Sequence, residues 1–220
     1  MKTILSWSTG KDAAWALQVL RQTPGIELVG LLTTINEDID RVITHGVPLA
    51  LVEAQARAAG LPLHVVAIPQ QCPNHVYEER MSSFITDART AGVEAIAFGD
   101  LFLADIRAYR ESRLAGTGLK PLFPLWKRNT AQLATEMIAG GLKARVVCVD
   151  PGAVPGTLAG REFNDQFLAD LSSSIDPCGE NGEFHTFAYA GPMFDAPITF
   201  EAGETVERDG FLFADLKSPP

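Results

Sequence analysis

Five consecutive residues, Ser8-Thr9-Gly10-Lys11-Asp12, supply two hydroxyls, a glycine, an ammonium and a carboxylate. They lie between an apolar run, Thr3 to Trp7, and an Ala- and Leu-rich stretch that starts at Lys11. A strand, a tight turn and a helix start in that order make a seat for an anion. Gly10 lets the backbone approach a ligand closely. The free N–H groups of the first helical turn and the helix dipole favour negative charge there. Ser8 adds a donor and Lys11 a full charge, while Asp12 is read as a helix cap or a magnesium ligand. The pattern is neither the Walker A loop nor the dinucleotide fingerprint. Taken by itself, the segment is either a phosphate cradle or an ordinary strand-to-helix turn.

A second group crowds one segment rich in Gly and acidic residues: Asp176, Glu180, Glu183 and His185. In an extended chain Glu183 and His185 point to the same side, and a carboxylate beside an imidazole tunes an acid/base group near neutral pH. Glu180 can instead hold magnesium through oxygen. The competing reading is a solvated, turn-forming loop. Cys178, among acidic neighbours that oppose thiolate formation, is read as structural, and His64, within a strand pattern, as a packing residue.

These residues need a frame that brings them together. Leu28–Thr34, Leu63–Ile68, Ala95–Phe98 and Lys120–Phe123 repeat the apolar character of Thr3–Trp7. Helical stretches separate them: Lys11–Arg21, with Ala13, Ala14, Ala16, Leu17 and Leu20 on one face, then Leu49–Ala59, His75–Arg89 and Asp105–Leu114. Alternation of this kind predicts an α/β fold, a doubly wound parallel sheet of about five strands covered on both faces. Ligands in such sheets bind past the carboxyl ends of the strands, where strand order reverses. Ser8 to Asp12, Thr33 to Asn36 and Gly99-Asp100 all fall at such ends. The second half is less regular. It predicts helices at Thr130–Ala139 and Glu162–Leu171, a strand at Ala144–Val149 and a hairpin around Asp209-Gly210. A boundary near Trp126 divides the chain into 1–126 and a smaller mixed domain, 127–220.

The 220 residues, 46% hydrophobic and 20% charged, fit a globular protein and not a disordered one. A net charge of -9 opposes non-specific nucleic-acid binding, which needs basic groups to displace counterions. Three cysteines, an odd number with no zinc spacing, suggest reduced thiols. The apolar start stops at Gly10, too short for a secretory segment, and no stretch suits a bilayer. A cytoplasmic protein with no nucleic-acid or membrane partner is expected.

Ser8-Thr9-Gly10-Lys11-Asp12-Ala13 resembles the Ser-Gly-Gly-Lys-Asp-Ser loop of the PP-loop (N-type) ATP pyrophosphatases, with Thr9 for the second-position Gly and Ala13 for the final Ser. Phe98-Gly99-Asp100 with Arg107, Tyr109, Arg110 and Glu111, then Phe123-Pro124-Leu125-Trp126, then Asp176 to Phe187, are similar to the diphthine–ammonia ligase group. The resemblance runs from about Met1 to about Phe194. Ligase members carry Gly-Glu-Gly-Gly-Glu-Tyr-Glu-Thr where this chain has Gly179-Glu180-Asn181-Gly182-Glu183-Phe184-His185-Thr186.

The resemblance implies a HUP-like, adenine nucleotide alpha hydrolase-like sheet and an enzyme that uses ATP and Mg2+ to adenylate a carboxyl or carbonyl oxygen. Pyrophosphate is released, and ammonia then displaces AMP. It implies nucleotide contacts at Ser8, Thr9, Gly10, Lys11, Asp12, Thr33, Gly99, Asp100 and Arg107, with Asp12 and Asp100 toward magnesium. Acceptor contacts fall at His45, Glu180, Asn181, Glu183, His185 and Thr186, and Lys11, Glu183 and His185 carry the chemistry. For Arg107, pairing with Glu111 four residues on is an equal alternative. For Gly99-Asp100 the alternative is a strand-end turn with a helix cap. The changes at Asn181, Phe184 and His185 imply a different acceptor, a small metabolite (a cobalamin-related one among them) or a modified protein residue. A thiolating enzyme, a nucleotide sensor without turnover and a nonspecific hydrolase stay as alternatives, and a homodimer is an expected assembly.

Overall fold

A computed structural model describes residues 1–219. In chain order its elements are β1 (Lys2–Ser6), α1 (Lys11–Arg21), β2 (Glu27–Asn36), β3 (Arg41–Val42), α2 (Leu49–Ala58), β4 (Leu63–Ile68), α3 (Asn74–Thr90), β5 (Ala95–Ala97), α4 (Ala104–Leu114) and β6 (Lys120–Leu122). The second half has α5 (Thr130–Ala139), β7 (Lys143–Val149), α6 (Asp165–Asp170), β8 (Phe184–Ala190), β9 (Glu201–Arg208) and β10 (Phe211–Lys217).

Five strands pair in parallel in the order β4-β2-β1-β5-β6. The chain winds outward from β1 through β2 to β4, then crosses back to β5 and β6. Strand order therefore reverses between β1 and β5, and the loop after each ends at that crevice. Apolar side chains fill both faces: Leu5 and Leu31 join one buried cluster, Ile4 and Leu32 another. The five expected strands are present. The expectation omitted β3, two residues pairing antiparallel with Ile35 and Asn36. Because β4 takes the other edge of β2 there, β3 sits beyond the end of β1, over the crevice.

The second half forms an antiparallel sheet in the order β8-β7-β10-β9. The β9–β10 hairpin turns at Asp209 and Gly210, both with positive φ (52° and 83°), as its Asp-Gly pair predicts. The helix expected over Glu162–Leu171 is shorter. Glu162 is drawn into a bridge with Arg145, and Asn164 starts α6 by accepting a bond from the Phe167 amide. One buried cluster runs through both sheets, joining Leu5, Trp7 and Leu17 to Val146, Phe167, Phe187 and Leu216. No helix among the described residues is long and apolar enough to cross a membrane.

Candidate functional site

The loop after β1 is held in an unusual conformation. Thr9, fully buried, has φ 77°, a left-handed value that a β-branched side chain rarely adopts. Gly10 is extended (φ -82°, ψ 173°), and its value lies in space: a Cβ there would stand 2.8 Å from His45 Cε1 and 3.2 Å from the Thr186 carbonyl oxygen. Gly99, at the end of β5, packs so closely on the start of α1 that a Cβ would meet Ala13 N and Asp12 C at 3.1 Å. Both glycines permit close approach where the two strand ends meet.

The second half clamps this loop. The Ala188 amide donates to Thr9 O, and the Lys11 amide donates to Thr186 Oγ1 at 3.0 Å. Gln55, fully buried on α2, accepts from Trp7 Nε1 and donates to both Thr9 O and Ala188 O. Sequence reasoning missed Gln55. Its signal was a polar side chain on the buried stripe of Leu51, Val52 and Ala56.

Two adjoining cavities open at the crevice. The smaller, about 220 Å³, is lined by Ser8, Lys11 and Asp12 of the loop after β1 and the start of α1, by Gly99 and Asp100, and by Glu180, His185 and Thr186 from the other half, with His45 beside them. The larger, about 350 Å³, has Leu32, Ile96 and Phe98 among its apolar walls and Thr33 on one side. Thr33 Oγ1 is buried and has no partner. Ser6, Ser8, Phe98 and Arg110 line both cavities and mark where they join.

Most expected site residues thus converge, but several are placed differently. Lys11 is only 2% exposed, and its ammonium is engaged. It pairs with Asp12 Oδ2 at 2.8 Å, donates to the Cys178 carbonyl, and lies over the Phe163 and Phe184 rings at 5.5 and 5.3 Å. It is not the free charge at the mouth that the motif predicts. Arg107 lines neither cavity: it bonds Glu111 at 2.7 Å and stacks on Phe123 and Trp126, the outcome that the four-residue spacing offered as its alternative. Arg110, one helical turn further along α4, reaches the junction instead. Glu183 and Asn181 also stay off the cavity. Asn181 Nδ2 donates to Glu183 Oε1, which braces the turn before β8. Only His185 of the expected Glu183–His185 pair lines the wall.

Charge in the smaller cavity is unbalanced toward acid. Asp12, Asp100 and Glu180 face Lys11 and Arg110. Burial raises the pKa of Asp12 and Asp100, opposed by Lys11 and Arg110 respectively. Glu180 rises to about 7, chiefly by burial and then through Asp12 and Asp100, against the Leu101 amide that donates to its Oε1 at 2.7 Å. His185 falls to about 4, mainly by burial and then through Lys11. His45 is lowered by burial and by His185. Cys178 is buried, its thiol is pushed up by burial, and its Sγ donates to the Thr130 carbonyl, so it is a structural residue.

Asp12 Oδ1 and Asp100 Oδ2 are buried with no hydrogen-bond partner. Among the described residues no three His, Cys, Asp or Glu side chains form a metal-holding group. Two orphan carboxylate oxygens without a full protein cage suit magnesium, which commonly takes one or two carboxylates and completes its shell with water and substrate phosphate.

Comparison with known proteins identifies the family. The diphthamide synthase N-terminal domain model matches residues 1–121, and the diphthamide synthase C-terminal domain model matches residues 129–215. The diphthine–ammonia ligase of Mus musculus is 26% identical over 196 residues, covering 82% of this chain and 73% of its own length. That of Danio rerio is 34% identical over 130 residues, 56% of this chain and 51% of its own. That of Schizosaccharomyces pombe is 26% identical over 99% of this chain, which spans 39% of that longer protein. With its loop, its Gly-Glu segment and both halves matched, the chain belongs to the diphthamide synthase family, the diphthine–ammonia ligase-like branch of the PP-loop ATP pyrophosphatases.

Proposed function

We propose that the protein is an ATP-dependent ligase that adenylates a carboxyl or carbonyl oxygen and lets ammonia displace AMP, with an acceptor other than diphthine. The observation that carries this reading is one cavity lined both by the loop after β1 and by the Gly-Glu segment from the other half of the chain, beside a larger cavity of mixed polar and apolar lining, about 350 Å³. The base would lie among Leu32, Ile96 and Phe98 with Thr33 Oγ1 as a polar contact, and the phosphates would lie toward Ser8 and the start of α1.

The acceptor oxygen attacks the α-phosphorus, the bond to the α–β bridging oxygen breaks, and pyrophosphate leaves with that electron pair. Ammonia then attacks the activated carbon, and AMP leaves with its phosphate oxygen. The nitrogen gives up a proton, for which Glu180 and His185 stand on the cavity wall. Magnesium, held by Asp12 and Asp100, would offset phosphate charge. The protein's contribution is alignment and charge placed in advance.

A changed acceptor is supported by His185. Of the three departures from the ligase segment, Asn181 braces Glu183 off the cavity and Phe184 lines the wall as a ring packed on Phe167, so His185 is the departure that changes a charged group on that wall. There a carboxylate has been replaced by an imidazole held neutral, which alters what the wall can bind.

The test is turnover with labelled ATP, magnesium and ammonium across a panel of carboxylate metabolites, reading AMP and pyrophosphate. Acceptor-dependent release of both is expected. Binding with no release under any acceptor would identify a sensor, and release without acceptor a hydrolase.

A further inference from the structure

We propose that Arg110 grips the 5′-phosphate, the α-phosphate, of the bound nucleotide and makes the site select nucleotides over nucleosides. This rests on the nucleotide reading above and deepens it.

Three observations lead there. Among the described residues Arg110 is the one cation that lines both cavities, so it stands at the passage between them. A nucleotide with its base in the larger space and its phosphates in the smaller one crosses that passage at the 5′-phosphate. The other cations are engaged: Lys11 with Asp12 and Cys178, Arg113 with Glu78 at 2.7 Å, and Arg107 away from both cavities. Arg110 itself is under-used. Its guanidinium lies over the Phe98 ring at 4.9 Å, and its ion pair with Asp100 Oδ2 is long, 3.5 Å from Nε, against 2.7 Å for the pairs of Arg113 and Arg107. Arg110 Nε and Asp100 Oδ2 are both buried, and neither has a hydrogen-bond partner. A guanidinium held over an aromatic wall with donors to spare is prearranged for a phosphate, which it can bind through two parallel N–H groups.

The loop makes this charge necessary. The usual anion donors at the helix start are partly consumed, since the Lys11 amide already donates to Thr186. Three carboxylates line the same space. Without Arg110, a phosphate entering the passage would meet acidic groups and an ammonium already neutralised.

Calorimetric titration of the protein with adenosine, AMP and ATP, for wild type, Arg110→Gln and Arg110→Lys, tests the assignment. Charge-assisted phosphate bonds predict that Arg110→Gln weakens AMP and ATP about 10- to 100-fold while adenosine changes less than about twofold. Arg110→Lys, which keeps the charge but not the fork, should fall between. If AMP and adenosine weaken by the same factor, or AMP is unaffected, Arg110 only shapes the wall and the proposal fails while the nucleotide site stands. Should the Gln variant not fold, the AMP-to-adenosine ratio of the Lys variant decides, and a ratio equal to wild type overturns the claim. A wild-type protein that binds none of the three ligands removes the nucleotide reading itself, and the proposal with it.

Discussion

The imidazoles of His45 and His185 stack at a tilt, ring centroids 4.7 Å apart and planes inclined by 33°. His45 Nδ1 lies 2.9 Å from the Thr186 carbonyl oxygen, which can only accept, so the neutral ring carries its proton on Nδ1. Both rings resist charging, first because each is withdrawn from water and then because Lys11 is near, and His45 has the further opposition of His185 beside it.

That resistance gives an acid-side signature. The folded pKa of His185, about 4, lies below its ordinary 6.5. The folded state therefore binds fewer protons than the unfolded chain in that window, and the stability tied to the neutral ring is present above 6.5 and lost as pH falls toward 4. His185→Asn should flatten the decline in urea midpoint between pH 6.5 and 4. Parallel curves for the two proteins would show that the ring does not titrate in this way.

Glu180 should act in the opposite sense. Its folded pKa, about 7, lies above the ordinary 4.5. The folded state holds an extra proton between those values, so the associated stability is full below 4.5 and drains as pH rises through 7. Glu180→Gln keeps an oxygen to accept the Leu101 amide and removes the titration. Its unfolding midpoint should therefore gain on wild type from pH 5 to 8, and a constant gap across that range would refute the assignment.

Lys11→Met should unfold more easily as well as bind nucleotide poorly. Removing the ammonium leaves the Asp12 carboxylate, 25% exposed, without its partner, which costs less than the about 3–5 kcal/mol of a fully buried pair. The sequence motif alone leads one to expect an intact fold, but a 2% exposed side chain bonded to Asp12 and Cys178 leads elsewhere. Adding Asp12→Asn should recover part of the loss. If the double variant is as unstable as the sum of the singles, the pair is not coupled.

Thr9→Gly should be tolerated or stabilising. A non-Gly residue at a left-handed φ stores roughly 1–3 kcal/mol, and glycine's extra unfolded freedom offsets up to about 1 kcal/mol of the relief. The hydroxyl gives up only a long contact to His45, 3.4 Å. A clear drop in melting temperature would mean that the contacts of Thr9 outweigh its backbone strain.

The sheet was legible because its strands are apolar runs cut off by Gly, Pro or Asp, and period and punctuation are local properties. What was not legible depended on distant partners. The two residues of β3 have no pattern of their own and are strand only because Ile35 and Asn36 accept them. The motif identified Lys11 but not its direction, which is set by a carbonyl at Cys178. The choice between Arg107 and Arg110 turned on the rotational phase of α4. That helix exposes Ile106 and Tyr109, so its apolar positions do not mark the inward face. Glu183 and His185 alternate as any strand predicts, yet the Asn181 and Asp176 contacts turn Glu183 into its own loop.

The grip of β8 on the loop is largely a main-chain grip: the Ala188 amide and carbonyl and the Thr186 carbonyl hold Thr9, Gln55 and His45, and Thr186 adds its hydroxyl to the Lys11 amide. The side chain at position 185 is spared from that task. An exchange of the side chain at 185 therefore leaves in place the bonds by which β8 fixes the loop after β1.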